Sequence, residues 1–275
     1  MKSNLTALII AKNEEKMLAA CLDTLSFCEK IIVVDTGSQD QTAKIAESYN
    51  CQVISFVHES FAKLREKAQS LVETKWLFYI DADERITPGL AKEILLHLEQ
   101  DDCQVMTLSR DNICYGTKFN FGNWQHDYVT RIFKKENLKG WRGTIHESPI
   151  YFGQEIKLKQ SLIHLTHRNT QDNLRKSADW TIKEAVALEA AMVKKVTLRL
   201  ILRKGIMEFY RRAFKYQGYK DGVPGLIEAL VQAINRMIVY IQVWELQQKP
   251  SIATRYAKIE QEIKNLWRRE GKINL

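Results

Sequence analysis

Three acidic residues follow directly after an apolar run in WLFYIDADERI, residues 76–86. They are Asp81, Asp83 and Glu84. If the run is a strand that continues past Asp81, the side chains of Asp81 and Asp83 point to the same side. Two carboxylates at such a short separation repel each other unless a cation lies between them. Mg²⁺ or Mn²⁺ binds such oxygen ligands together with substrate phosphates. The spacing therefore predicts a divalent-metal site at the end of this run.

A second polar segment, DTGSQDQT at residues 35–42, also follows an apolar run. Asp35 there could accept hydrogen bonds from a nucleoside, and Gly37 could let the backbone approach a ligand closely. A turn that leads into a helix capped by Ser38 or Asp40 is the alternative explanation. Neither GxGxxG nor GxxxxGK[ST] occurs, which argues against a dinucleotide site or a P-loop.

Four short apolar runs alternate with amphipathic stretches in the first half of the chain, namely LTALII, KIIVVD, CQVISF and WLFYID. Strands that alternate with helical patterns predict βαβ units and a mostly parallel sheet, so the predicted fold class is α/β. Ligands of such sheets bind outside the carboxyl ends of the strands. We therefore expect Asn13 and Glu14, which follow the first run, at the same edge as Asp35 and Asp81.

The pattern changes twice in the second half of the chain. After Asp102 come the strand-like pieces VMTLS, VTRIF and SPIYF, and from about Thr170 the pattern is helical with few breakers. We therefore expect a sheet domain at residues 1–168, which carries the site, and a helical C-terminal region at residues 169–275.

Composition limits the classes of protein that remain. With 275 residues and 45% hydrophobic content, the chain can bury a sizeable core. Its five cysteines are an odd number without a CxxC pair, which argues against a disulfide framework or a thiolate zinc site and favours a reducing cytoplasm. No signal peptide is recognisable, and no run approaches 18 apolar residues, so we expect no membrane-spanning helix.

The net charge of +8 comes from one segment. Residues 192–220 hold nine basic residues and one acid, Glu208, whereas the rest of the chain holds 32 of each sign. Apolar and cationic residues interleave there, as in helices that lie on anionic lipid, so we expect contact with a membrane surface. Nucleic-acid binding is the alternative, but the acids beside the strands would repel a phosphate backbone. The next apolar segment, residues 226–244, is expected to pack on the core.

An ordered series of motifs resembles the GT-A domain of family 2 glycosyltransferases. The series comprises AKNEE, IIVVDTGSQDQT, FAKLREKAQ and WLFYIDADERI, followed by RIFKK, GWRGTIHESP and YKDGVPGL. The later motifs of the series resemble those of the subgroup that includes the lipopolysaccharide core β-glucosyltransferases. The resemblance implies an inverting enzyme that moves a hexose from UDP-glucose or a similar nucleotide sugar to a lipid-linked or lipopolysaccharide-type glycan, with Mg²⁺ or Mn²⁺. It would act in the cytoplasm, peripherally on the inner face of the cytoplasmic membrane.

The resemblance also implies roles for individual residues. Those expected to bind the nucleotide are Asn13, Glu14, Asp35, Gly37, Ser38, Arg65 and Asp81. Those expected to bind the metal are Asp83, Asp81 and His146, the last as a further metal or phosphate ligand or as a structural histidine. The candidates for the base that deprotonates the acceptor hydroxyl are, in order, Glu147, Asp127 and Glu84.

A sugar-phosphate nucleotidyltransferase would also combine an α/β domain, carboxylates and Mg²⁺. It would release pyrophosphate in place of a nucleoside diphosphate. The basic, glycine-rich loop expected at its N-terminus is missing, because AKNEE is acidic.

Overall fold

The structure is a computed structural model that describes residues 3–58, 60–125, 127–143, 148–191 and 194–270. The chain forms two compact units. The sheet unit comprises Met1–Asn120 and Trp124–Asn169, and the helical unit comprises Phe121–Asn123 and Thr170–Leu275.

The sheet unit alternates strands and helices in its first half and is mainly strand in its second half. Its strands are β1 (Leu5–Ala11), β2 (Lys30–Asp35), β3 (Gln52–Ser55), β4 (Trp76–Tyr79), β5 (Glu84–Arg85), β6 (Val105–Cys114), β7 (Thr117–Lys118), β8 (Tyr128–Lys134), β9 (Leu138–Arg142), β10 (Ser148–Tyr151) and β11 (Glu155–Leu165). Its helices are α1 (Leu18–Leu22), α2 (Thr42–Ser48), α3 (Phe61–Ser70) and α4 (Pro88–Gln100).

The main sheet has the strand order β3-β2-β1-β4-β8-β6-β11-β5, with β7 paired to β6. The first four strands in this order are parallel, and β6 and β11 are also parallel. Strand β8 runs antiparallel to both β4 and β6, and β5 runs antiparallel to β11. A separate antiparallel pair is formed by β9 and β10. The predicted α/β sheet is therefore confirmed, with antiparallel strands inserted in its second half.

Apolar side chains fill both faces of the central strands, as expected for parallel strands covered on two sides. Alternate residues of β1 and β4 point to opposite faces, so Ile9 and Phe78 belong to one buried cluster and Leu8 and Leu77 to the other. This arrangement fixes the register of the strands, because a shift by one residue would exchange the two faces.

The helical unit consists of α5 (Thr170–Ala190), α6 (Leu198–Tyr210), α7 (Gly222–Leu246) and α8 (Ile252–Glu270). A π-helical turn, Arg211–Lys215, extends α6, and a 3₁₀ turn, Gly218–Asp221, precedes α7. The buried side chains of Ala185, Ile201 and Val239 join α5, α6 and α7 in one core.

The glycines in the segment YKDGVPGL allow a close turn before α7. A Cβ atom on Gly225 would lie only 2.1 Å from the carbonyl oxygen of Gly218. Any larger residue at position 225 would therefore force the 3₁₀ turn away from the helix. The predicted break between the two apolar segments lies at this turn.

Among the described residues, one helical stretch is long and apolar enough to cross a membrane by length and composition alone. This stretch is Gly218–Leu246, which has 29 residues. Its most apolar 18-residue window has a mean hydropathy of 1.3 and is 39% buried. Core helices of soluble proteins have the same properties. Polar residues such as Glu228 and Arg236 interrupt its apolar residues, and a mean over 18 residues tolerates such interruptions. That no helix spans a membrane therefore stays a prediction.

Candidate active site

The loops after β1 and β2 are joined by hydrogen bonds at the carboxyl edge of the sheet. The backbone N–H of Asn13 donates to Ser38 Oγ at 2.9 Å, and the N–H of Gln39 donates to Asn13 Oδ1 at 2.8 Å. The N–H of Glu14 donates to Thr42 Oγ1 at 2.8 Å. The two loops therefore form one polar surface, as expected from neighbouring parallel strands.

Asp35 holds the turn that follows β2. It is 8% exposed, and its Oδ1 accepts a hydrogen bond from the N–H of Ser38 at 3.0 Å. Gly37 has a φ of +95°, in the region that favours glycine, so the turn depends on the residue type at this position. Gln41 occupies the N-cap position of α2 without a side-chain bond, but Asp40 Oδ1 accepts from the N–H of Thr42, the first residue of the helix, at 3.0 Å. Asp40 therefore satisfies an N–H at the start of α2, as the alternative explanation predicted, from one residue before the N-cap.

The acidic segment after β4 is a turn and not a continued strand. Strand β4 ends at Tyr79, and the N–H of Glu84 donates to the carbonyl oxygen of Asp81 at 2.9 Å. The expectation that Asp81 and Asp83 share one face of a strand is therefore wrong. They lie on one turn instead, with the side chain of Asp81 43% exposed and that of Asp83 15% exposed.

A buried arginine from β8 links this turn to the sheet. Arg131 Nη2 lies 2.5 Å from Asp81 Oδ2 and 3.4 Å from Glu84 Oε1. Although burial opposes ionisation, the charge of Arg131, helped by that of Arg65, lowers the pKa of Asp81. Asp81 is therefore held as a carboxylate.

Glu84 has a different environment although it is only three residues away. Its side chain is completely buried, and Oε2 accepts a hydrogen bond from the N–H of Asp81 at 2.9 Å. Burial raises the pKa of Glu84 despite the opposing charge of Arg131. Arg110 Nη1 is a further cation at 3.6 Å from Oε1.

Asp127 is bound on both carboxylate oxygens. Arg110 donates from Nε to Oδ2 at 2.8 Å and from Nη2 to Oδ1 at 2.9 Å. Asn112 Nδ2 also donates to Oδ2 at 2.9 Å. Although partial burial opposes ionisation, these contacts lower the pKa of Asp127.

His164 closes the polar network between Asp127 and the acidic turn. Its Nδ1 lies 2.6 Å from Asn112 Oδ1, and its Nε2 lies 3.7 Å from Asp83 Oδ2. The carboxylates of Asp81, Asp83, Glu84 and Asp127 thus belong to one connected set of side chains.

Arg65 lies on an aromatic platform beside the same edge. Its guanidinium carbon is 4.4 Å from the ring centroid of Trp141 and 5.1 Å from that of Tyr79. Tyr79 Oη also donates to the backbone carbonyl of Arg65 at 2.8 Å. These contacts orient a cation whose charge acts on Asp81.

Comparison with known proteins shows where this architecture belongs. Residues 6–160 match the sequence profile of Glycosyl transferase family 2, which covers more than half of the chain. The chain belongs to glycosyltransferase family 2. Enzymes of this family are inverting and use nucleotide-sugar donors, so the predicted family, the GT-A domain and the enzyme class are confirmed.

Two relatives of this family 2 glycosyltransferase are similar over nearly their whole length. The lipopolysaccharide core biosynthesis glycosyltransferase LpsC of Rhizobium meliloti is 25% identical over 263 residues, which cover 91% of this chain and 97% of the relative. An uncharacterized glycosyltransferase of Rickettsia conorii is 24% identical over 285 residues, with 93% and 96% coverage. The solved structure of S. aureus TarS 1-349 gives a TM-score of 0.45 at 13% identity, covering 88% of this chain and 90% of that one.

The acidic turn suits a divalent metal by its chemistry, although three-ligand clusters are absent from the part of the chain that the structure describes. Asp81 and Asp83 supply hard carboxylate oxygens, and a magnesium ion commonly takes only one or two carboxylates and completes its shell with substrate phosphates and water. Of the other predicted residues, His146 and Glu147 lie outside the described residues.

The polar network contains residues that sequence reasoning did not assign to the site, namely Arg110, Asn112, Arg131 and His164. Arg131 lies in the segment RIFKK, which carries part of the family resemblance, so its motif was a usable signal. The other three lie on β6 and β11, and their pairing with Asp83 and Asp127 depends on the parallel register of these strands.

Proposed function

We propose that this glycosyltransferase moves a hexose from UDP-glucose or a similar nucleotide sugar to a lipid-linked or lipopolysaccharide-type glycan. The observation that supports it most is the polar edge formed by the loops after β1, β2 and β4. The name of the LpsC relative, a lipopolysaccharide core biosynthesis glycosyltransferase, supports the same acceptor class. Family 2 membership decides against the nucleotidyltransferase and nucleic-acid-binding alternatives.

The nucleotide would bind along the joined loops. Asp35 would accept hydrogen bonds from the base, and Asn13 and Glu14 would contact the nucleoside. The left-handed backbone at Gly37 and the bonded Ser38 would keep this wall of the pocket in place.

The diphosphate would lie over the acidic turn. Asp83 and Asp81 would hold Mg²⁺ or Mn²⁺, which as a Lewis acid stabilises the charge on a leaving diphosphate. Arg131 would keep Asp81 ionised for this task, and Arg65 would add positive charge beside the phosphates. His146 remains a predicted further ligand.

Inversion requires one displacement, with a carboxylate that takes the proton of the acceptor hydroxyl. We assign this role to Glu147. The two other candidates are less suited, because Glu84 is completely buried and Asp127 is bound by Arg110 and Asn112. Glu84 and Asp127 would instead hold neighbouring side chains of the site in position through their contacts with arginines.

The helical unit would hold the enzyme at the cytoplasmic face of the membrane. Helix α6 exposes apolar side chains, with Leu198 71%, Ile206 69% and Tyr210 62% accessible. Arg199 and Arg203 lie on the same helix. Exposed apolar surface beside cations is typical of a helix that lies on anionic lipid.

A transfer assay tests the proposed reaction. Purified enzyme, UDP-glucose labelled in the sugar, Mn²⁺ and a lipopolysaccharide core acceptor should give free UDP and a labelled glycolipid whose new bond has the β configuration. Other UDP-hexoses serve as parallel donors. Release of pyrophosphate, or an α-linked product from an α-linked donor, would contradict the proposal.

A further inference from the structure

The helical unit contains a cleft of about 590 Å³ between α6, its π-helical extension and α7. Four cations line it, namely Lys204, Arg211, Lys215 and Arg236. Glu208 is the single acid among the lining residues. The cleft therefore has a net positive charge and would favour an anionic ligand.

The acid in the cleft is already neutralised. Glu208 is 7% exposed, and its two oxygens accept from Arg211 Nη2 at 2.5 Å and from Arg212 Nε at 2.7 Å. Arg236 pairs with Glu184 at 2.5 Å. Lys204 and Lys215 are the lining cations that no carboxylate among the described residues pairs with.

These two lysines contact aromatic rings. Lys204 Nζ lies 5.1 Å from the ring centroid of Tyr240, and Lys215 Nζ lies 5.9 Å from that of Tyr216. Neither lysine has an ion pair among the residues that the structure describes. Ammonium groups positioned in this way can donate to the oxygens of a ligand.

A π-helical turn carries two of the four lining cations. Residues Arg211–Lys215 form a π-helical turn, which places Arg211 and Lys215 at its two ends. Such turns are rare and frequently occur at functional sites.

Apolar side chains border the cleft. Ile206 is 69% exposed, Met207 59% and Tyr210 62%, and all three belong to the lining. A free inorganic anion would leave this apolar border in water. A ligand with an anionic head and apolar chains would cover both the cations and the border.

We infer that this cleft binds the phosphate-bearing head group of a lipid, attracted by the positive charges of Lys204 and Lys215, with the acyl chains on Ile206, Met207 and Tyr210. This inference rests on the membrane contact of the proposed function and makes it specific, because it replaces diffuse attraction to an anionic surface by one saturable site. Its residues belong to the helical unit, whereas the residues assigned to the nucleotide sugar belong to the sheet unit.

The test uses a lipid that stays monomeric in solution, so that membrane partitioning does not contribute. Dihexanoyl phosphatidic acid is titrated calorimetrically into the full-length protein below its critical micelle concentration, and inorganic phosphate is titrated in parallel. We expect one lipid per chain and much weaker binding of inorganic phosphate. The double variant K204Q/K215Q should lower the lipid affinity on the order of tenfold or more.

The matched control is K258Q/K264Q, which removes the same charge from the exposed helix α8. It should bind the lipid about as well as the wild type. Equal losses in both double variants, an absence of saturable lipid binding, or inorganic phosphate that binds as tightly as the lipid would each overturn the inference. UDP titrations on the same samples show whether the donor site functions, and an unchanged helical circular dichroism spectrum of K204Q/K215Q shows that the helical unit of the variant is folded. Failure of the lipid site is therefore distinguishable from failure of the proposed glycosyl transfer.

Discussion

At the scale of single residues, the site depends on a buried cation between two carboxylates of different character. Arg131 contacts Asp81, which is held ionised, and Glu84, whose pKa is raised by burial. Removing one partner from a buried ionic cluster leaves an uncompensated charge. The resulting loss of folding free energy exceeds the net stabilisation that the intact cluster provides.

Replacing this cation should therefore strongly destabilise the folded protein. We expect Arg131→Met to reduce the free energy of unfolding by about 3 kcal/mol or more, measured by urea denaturation at neutral pH. Arg142→Met is the matched control, because Arg142 is an exposed arginine on a strand of the same unit. It should change stability by less than about 0.5 kcal/mol. Similar small effects of both substitutions would show that Arg131 does not hold the acidic turn.

At the scale of elements, the loops after β1 and β2 act as one surface because backbone N–H groups of each loop donate to side chains of the other. The shape of the second loop depends on the positive φ of Gly37. A side chain at this position would strain the backbone and move the wall assigned to the nucleotide.

The variant Gly37→Ala tests this role against a glycine with a similar backbone elsewhere. Gly116 also has a positive φ, and a Cβ atom there would meet nothing within 4 Å. Both Gly37→Ala and Gly116→Ala should lose about 1 kcal/mol or more of stability. Only Gly37→Ala should also weaken UDP binding, as measured by titration calorimetry. Equal UDP affinities in the two variants would remove the loop after β2 from the nucleotide pocket.

At the scale of the whole molecule, the chain combines a sheet unit that carries the candidate active site with a helical unit that carries the excess positive charge. Exposed apolar residues on α6 accompany that charge. Membrane contact should therefore depend on apolar side chains as well as on cations.

A charge placed on α6 tests this contact. Ile206→Glu should reduce co-sedimentation with anionic vesicles several-fold, because it places a carboxylate where apolar surface would enter the interface. Leu96→Glu, at a 49% exposed position of α4, is the control and should leave the bound fraction unchanged. Full retention of vesicle binding by Ile206→Glu would contradict an interfacial role for α6.

Much of the sheet unit could be predicted from the sequence, because short continuous apolar runs such as WLFYI are buried on both faces of the sheet. Parallel pairing of the strands that precede them also predicts that Asn13, Asp35 and Asp81 lie at one edge of the sheet. The turn at Asp81–Glu84 could not be predicted in the same way, since it is held by Arg131 and Arg110 from distant strands. The ion pair between Asp127 and Arg110 likewise depends on strand register, which residue types alone do not reveal.

The most direct test of the central claim is calorimetric titration of UDP and UDP-hexoses, with GDP, ADP and dTDP as controls. Wild type and Asp83→Asn are compared, each with and without Mn²⁺. The account predicts UDP binding that requires Mn²⁺ and is lost in Asp83→Asn, while the variant keeps its folded circular dichroism spectrum. Equal Mn²⁺-dependent binding in wild type and Asp83→Asn would contradict the assignment of the acidic turn, and binding of no nucleotide under any condition would contradict the donor site as a whole.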